Sequence, residues 1–422
     1  MIRRVQIRNF GSLRDVDVRL GPLTLLLGPN ASGKTMFIRA LRALSKLLRS
    51  PIRGGTFGDK RAGVFMLDHA TLEDFIFSGN QSSRIGFSVW LEHADGEPNY
   101  VLELGKVEDS WTVTREALSY RGFQFDSIEQ PFEFGTAHRG TIRWETPGYP
   151  PRHAALPHLL FPYRGDPVAL PRVGPVLAFS SALGLAYAYR VNPEDLTTPT
   201  LPSWIDPSEP YVDSTGTGFI HTLREWAQSV EGKQVFEQKV LPELQRLFPH
   251  IRGIGFRSLG SKLFLEYQAD RTSRAVPAQL ESDGVNLGLF FLSIPHLLMR
   301  GFQAGALCIG LEEPEAGTHP HFQGYRLELL RRLASGGLAD VPLQIIATTH
   351  SVDLLRWVEP DEALGVLRFA EHLGPGQGTV IHRLTNREDI DRVYKEYHGN
   401  PGIAWYSGAF GGVPRKPSVG EE

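Results

Sequence analysis

The chain predicts an α/β fold with a mixed central sheet, an antiparallel β lobe and a helical lobe, on three observations. Residues 23–48 read as an apolar strand, a glycine-bearing turn and an amphipathic helix. Residues 306–351 read as strand, helix, strand. Residues 84–120 alternate apolar and polar side chains across two turn sequences, the pattern of antiparallel strands with one wet face.

Composition sets the outer bounds. The 422 residues are 41% hydrophobic and 22% charged, with a net charge of −3. That is globular composition, with length for a large core or a few subdomains. The near-neutral balance neither demands nor excludes nucleic acid, because a basic groove can sit within it. Cys308 is the single cysteine and lies in an apolar run, so a packing role is expected and an internal disulfide is impossible. The opening residues lack the apolar core of a signal peptide. The most apolar stretch, Gly284 to Met299, is interrupted by Asn286, Ser293, Pro295 and His296. It falls short of the ~20 residues a membrane span needs and reads as a buried helix. A cytoplasmic protein with no membrane partner is expected.

The first element with chemistry is "LTLLLGPNASGKT", Leu23 to Thr35. Phe37, Leu41, Leu44 and Leu48 share one face of the helix that follows. The turn fits GxxxxGK(S/T) at Gly28, Gly33, Lys34 and Thr35, with Pro29, Asn30, Ala31 and Ser32 between. Backbone N–H groups of such a loop converge on phosphate oxygens at a helix N-terminus. Lys34 adds charge at the β- and γ-phosphates, and the Thr35 hydroxyl is placed to ligate Mg²⁺. ATP and Mg²⁺ are the expected ligands.

The second element is "ALCIGLEEPEAGTHP", a short strand ending in three glutamates. Carboxylates that close are costly to desolvate without a cation among them. In a P-loop nucleotidase a second strand ends in an acid facing the Mg²⁺. Glu312 is assigned that place, and Glu313 the polarisation of an attacking water. Glu315 reads equally well as part of a solvated loop, and Gly310 is expected to interrupt the strand. A helix with Phe322, Tyr325, Leu329 and Leu333 on one face leads to a third strand, "LQIIATTHS", ending near His350. A βαβ unit puts both strand ends on one sheet edge, where ligands bind. His350 is read as a γ-phosphate contact, with packing or capping as the alternative.

The fourth element is "ESDG", where Ser282, Asp283 and Gly284 open the apolar helix. It is either a simple N-cap or a second anion-binding element. With it, the order "GPNASGKT", "ESDG", "EEPEAGTHP", "TTHS" resembles the ABC-type ATPases, and within them the RecF, SMC and OLD-like group. The opening hairpin "VQIRNFGSLRDVDVRLGPLTLLLGPN" is similar to that group's lead into the P-loop. The resemblance covers about the first 50 residues and Ala275 to Leu355. It implies a P-loop NTPase of ABC type working as a homodimer, each ATP held between one subunit's P-loop and the other's signature. It further implies that Glu312 is the Walker B residue, Glu313 the catalytic carboxylate and His350 the switch histidine. By the same analogy Ser282 and Gly284 touch a partner's γ-phosphate. Gln81 and Gln124 are the candidates for the Q-loop glutamine. Stand-alone members resemble components of phage-defence or toxin–antitoxin systems with a separate effector. A RecF-like DNA-repair ATPase and a non-hydrolysing ATP-bound scaffold are the alternatives. A membrane-transporter ATPase is disfavoured, because the signature is not LSGGQ-like.

The remaining segments carry less. Residues 145–175 are proline-dense and read as irregular loops. Phe219, Leu223, Trp226 and Val230 are expected on one helical stripe, and the next helix is expected to break or restart at Pro242. A β-hairpin follows over residues 251–268. "ALGVLRFAEH" and "GTVIHRLTN" read as strands and "REDIDRVYKEYHG" as a helix. No sustained heptad predicts a coiled-coil arm. Scattered carboxylates Asp361, Glu362, Glu371, Asp389 and Asp391 make no evident nuclease centre, and the last residues read as a tail. Four segments are expected: 1–130 with P-loop and β lobe, 131–275 as an insert, 276–385 with signature, Walker B and histidine, and 386–422 as helix and tail.

Overall fold

The computed structural model describes residues 1–49, 66–67, 70–77, 84–92, 99–107, 110–120, 123–128, 133–136, 141–143, 186–199, 212–270, 274–299, 307–317, 320–338, 343–374, 376–384 and 386–409. The proline-dense stretch, Gln81 and the final residues lie outside them. Two compact units emerge, one of residues 1–186 with 348–422 and one of residues 187–347.

The first unit opens on the hairpin β1 (Ile2–Phe10) and β2 (Leu13–Arg19), then β3 (Leu23–Leu27) and α1 (Lys34–Arg49). Two short strands, β4 (Met66–Leu67) and β5 (Ala70–Thr71), lead into the β lobe. That lobe comprises β6 (Arg84–Leu91), β7 (Asn99–Val107), β8 (Ser110–Tyr120), β9 (Phe123–Ile128), β10 (Glu133–Thr136) and β11 (Thr141–Arg143). With the opening hairpin these strands form an eight-stranded sheet, in the order β11-β10-β9-β8-β7-β6-β1-β2. Alternation does the work: Ile85, Phe87, Val89 and Leu91 are buried along β6 while the residues between them are not. Each fully buried apolar side chain of this size contributes about 1.5–3 kcal/mol. The buried Glu116 carboxylate accepts a 2.8 Å hydrogen bond from Tyr100, and burial first, then that neighbouring charge, raises the tyrosine well above its ordinary range.

The second unit begins with β12 (Ala186–Tyr189) and α2 (Pro193–Thr197), then α3 (Phe219–Gln228), α4 (Val230–Val235) and α5 (Leu241–Leu247). The expected stripe ends early. Ser229 caps a new helix by accepting from the Gly232 N–H, which leaves Val230 exposed rather than in line with Trp226. The helix restarts at Pro242 as expected: a π-helical turn at Phe236–Val240 leads into α5, which carries Pro242 in its first turn. The hairpin β13 (Ile251–Leu259) and β14 (Lys262–Ala269) pairs with β15 (Val276–Pro277).

The core of this unit is α6 (Asp283–Leu298). Nearly every side chain from Val285 to Leu298 is buried, as befits a helix apolar all round. Phe290 meets Tyr189 and Phe219 edge-on, at 5.4 and 5.3 Å between ring centres. Asn286 is buried too: its Nδ2 donates to the Ala278 carbonyl at 3.0 Å and its Oδ1 accepts from Tyr267 at 2.9 Å. Then come β16 (Leu307–Glu312), α7 (Pro320–Ala334) and β17 (Leu343–Thr349), with β12, β16 and β17 adjacent in that order. Gly310 does not interrupt β16, whose residues are buried through Leu311. Phe322 and Tyr325 are not on the buried face of α7; they are 44% and 47% exposed.

The chain returns to the first unit through α8 (Val352–Leu355), α9 (Pro360–Val366), β18 (Leu367–His372), β19 (Thr379–Arg383), α10 (Arg387–Glu396) and α11 (Pro401–Tyr406). "ALGV" is thus helix, not strand, because Pro360 and a Glu359–Glu362 capping box start α9. β18 lies parallel to β3 and antiparallel to β19, so the pairing is mixed. Among the described residues no helix is long and apolar enough to cross a membrane.

Candidate functional site

In the first unit, β3 delivers five buried residues and then the loop Gly28–Thr35. Ala31 sits at φ 62° and Gly33 at φ 97°, left-handed positions that bend the backbone sharply ahead of α1. The loop closes through Ser32 N–H donating to the Pro29 carbonyl at 3.2 Å, and the helix starts with Phe37 N–H on the Gly33 carbonyl at 3.0 Å. Two glycines are obligatory by contact. A Cβ on Gly28 would stand 2.4 Å from the Ala370 carbonyl oxygen, and one on Gly33 would stand 2.3 Å from Thr379 Oγ1. Thr379 is itself fixed, donating from N–H to the Ser12 carbonyl and from Oγ1 to Ser12 Oγ at 2.8 and 2.9 Å. Sequence reading missed Ser12 and Thr379, which brace the loop from far along the chain.

Lys34 is buried, and its ammonium donates to the Gly28 and Pro29 carbonyls at 2.6 and 2.9 Å. Ser32 Oγ is buried with no hydrogen-bond partner. An orphaned hydroxyl, a helix N-terminus and an ammonium folded onto the loop together fit a phosphate chain. Thr35 opens the same helix. The return strand β17 is buried to Thr349, and His350 emerges exposed beyond it. The Ser351 hydroxyl caps α8 by accepting from Leu354 N–H at 3.1 Å.

In the second unit, Glu312 ends β16 half-buried and Glu313 follows at φ 49°. A non-glycine residue there costs about 1–3 kcal/mol, strain that clusters at functional positions. The turn closes by Ala316 N–H donating to the Glu313 carbonyl at 2.8 Å. Glu315 is not in a solvated loop; it is 6% exposed. Ser282 occupies the N-cap position of α6, yet its hydroxyl makes no capping bond. The Ser282 carbonyl accepts from Val285 and Asn286 N–H at 3.0 and 3.2 Å, and the Asp283 and Gly284 amides gain no side-chain cap. The simple-cap alternative therefore lacks its hydrogen bond. Ser282, Asp283 and Gly284 line a cavity of about 310 Å³, which Gly317, from the turn after the glutamates, also borders.

Gly28–Thr35 and His350 thus belong to the first unit, and Ser282–Gly284, Glu312 and Glu313 to the second. Of the Q-loop candidates, Gln124 lies in β9, with its side chain outside the described residues, as is all of Gln81.

A glycine-bearing loop between a buried strand and a helix has the form of a phosphate-binding loop. Residues 1–86 match the AAA ATPase domain family. The chain is 51% identical over 41 residues to an OLD nuclease of Thermus scotoductus (strain ATCC 700910 / SA-01), a match spanning 10% of this chain and 8% of that protein. Among solved structures it is similar to the SMC head domain from Thermotoga maritima, at 15% identity and a TM-score of 0.42 over 91% of this chain and 99% of that one. It is also similar to the recombination mediator protein RecF, at 10% identity and a TM-score of 0.39 over 91% and 98%.

Proposed function

We propose that this chain is an ATP-binding and ATP-hydrolysing switch protein, acting as a nucleotide-dependent homodimer. The observation that carries the reading is the phosphate loop, where Ser32 Oγ is orphaned and Lys34 lies folded onto the loop carbonyls. Lys34 supplies positive charge to the terminal phosphates, and the loop amides orient them. Mg²⁺, when bound, neutralises charge developing on the transferred phosphoryl group. Thr35 and Glu312 are the residues to hold it. Glu313 orients the attacking water, and His350 contacts the terminal phosphate. Ser282 and Gly284 present an uncapped helix N-terminus to a second copy's ATP. These roles follow the motif order and its resemblance to the ABC-type group.

Catalysis in such a site is positioning and electrostatic stabilisation. The consequence of turnover is release of an interface. A role in phage defence or a toxin–antitoxin system, with a separate effector, is the biological setting proposed. The direct test is nucleotide binding and phosphate release by purified protein with and without Mg²⁺. Lys34→Ala is expected to weaken ATP binding by about 100-fold or more, about 2.7 kcal/mol. Unchanged affinity in that variant would remove the phosphate-loop assignment and all that rests on it.

A further inference from the structure

Arg326 does not belong to any of the four motifs. It lies on α7 and is 6% exposed. Its guanidinium carbon stands 4.7 Å from the ring centre of Phe291, and Nη1 has no hydrogen-bond partner. Burial first, opposed by the charge of Glu315, lowers it to about 10. A guanidinium stripped of water and left with an empty donor is costly unless something accepts from it. Arg326 lines the 310 Å³ cavity, together with Ser282, Asp283 and Gly284 at the uncapped start of α6.

The other walls are aromatic. Phe248 and Phe322 stack with planes 22° apart, and Tyr325 is tilted against Phe322 at 6.1 Å. Phe322 and Tyr325 are 44% and 47% exposed and share the cavity wall with Leu329, the residue grouped with them on one helix face. An apolar-walled cavity of this volume with few convergent polar groups is the form of a small-ligand site. Charge narrows the class. Asp283 is on the wall and Glu315 faces the same arginine, so a doubly charged phosphate meets two carboxylates against one guanidinium. Among the described residues Arg326 is the one cation on the wall, so its guanidinium can offset the repulsion on a single negative charge in contact with it but not on two. We propose that this cavity binds a small planar aromatic monocarboxylate, its carboxylate on Arg326 and its ring against Phe248, Phe322 and Tyr325.

The probe is 2-naphthoate, titrated into full-length protein without nucleotide and followed by calorimetry, with neutral 2-naphthamide as its isostere. Saturable one-to-one binding of the naphthoate is expected, with the amide weaker by about tenfold or more, the scale of a charge-assisted hydrogen bond. Arg326→Met should cost a similar factor. Tyr325→Ala, a change at a half-exposed wall that leaves the core intact, should weaken binding several-fold without altering the melting temperature. Lys34→Ala should leave naphthoate binding unchanged, which separates this site from the phosphate loop. Absence of saturable naphthoate binding at millimolar concentration would overturn the proposal. So would equal affinity for the amide, undiminished binding by folded Arg326→Met, or loss of binding in folded Lys34→Ala.

Discussion

At the scale of single residues, Gly33 is the sharpest constraint in the phosphate loop. Its φ of 97° excludes side chains, and a Cβ would strike Thr379. Gly33→Ala is expected to cost about 1–3 kcal/mol and to displace the N-terminus of α1, read as a lower denaturation midpoint with weaker ATP binding. The motif made this glycine legible; its steric partner was not, because Thr379 lies hundreds of residues away. Cys308 was legible as a packed residue from its apolar neighbours, and it is buried. Burial pushes its thiol up to about 12 from an ordinary value of 9.0. The unfolded chain therefore loses this proton first as pH rises. Stability from this group is complete below about pH 9 and falls as pH climbs toward 12. A thiol reagent at pH 8 should react with Cys308 only after denaturation.

At the scale of elements, α6 shows how pattern and packing divide the work. Its high apolarity announced a buried helix, and Asn286 stood among its few interruptions. Tertiary structure turns that residue into a tie between α6, β14 and the segment around Ala278. Asn286→Ala removes the acceptor of the Tyr267 hydroxyl and one donor to the Ala278 carbonyl, which keeps the Glu281 N–H, both inside the unit. A loss of about 1–3 kcal/mol is expected in chemical denaturation, with Asn286→Asp no better because it cannot donate from a carboxylate. α7 went the other way. Spacing placed Phe322 and Tyr325 with Leu329 and Leu333, but periodicity reports only that residues share a face. What covers that face is decided by neighbouring elements, and here a cavity stands beside its first turns. The same limit explains α9, where a proline and a capping box override an apolar run that looked like strand.

At the scale of the whole molecule, the proposed switch is a change of association state. Glu313→Gln should bind Mg·ATP yet hydrolyse it about 10²–10⁴-fold more slowly, the range for loss of a positioned proton acceptor. Light scattering of that variant should show the mass doubling when Mg·ATP is added. An unchanged mass with nucleotide bound would return the Ser282–Gly284 segment to the role of a helix start alone.

The sequence by itself determined the glycine-bearing loop ahead of α1, the buried helix α6, the acidic end of β16 and the alternating β lobe. Each of these is set by contacts within a few residues along the chain: glycine sterics, helix-terminal amides and side-chain periodicity. Only the tertiary structure decided that Ser12 and Thr379 brace Gly33, that Glu315 is buried, and that Arg326 lies desolvated beside an aromatic cavity. Those facts depend on which distant segments meet, and burial of a charge leaves no local signature in the order of residues.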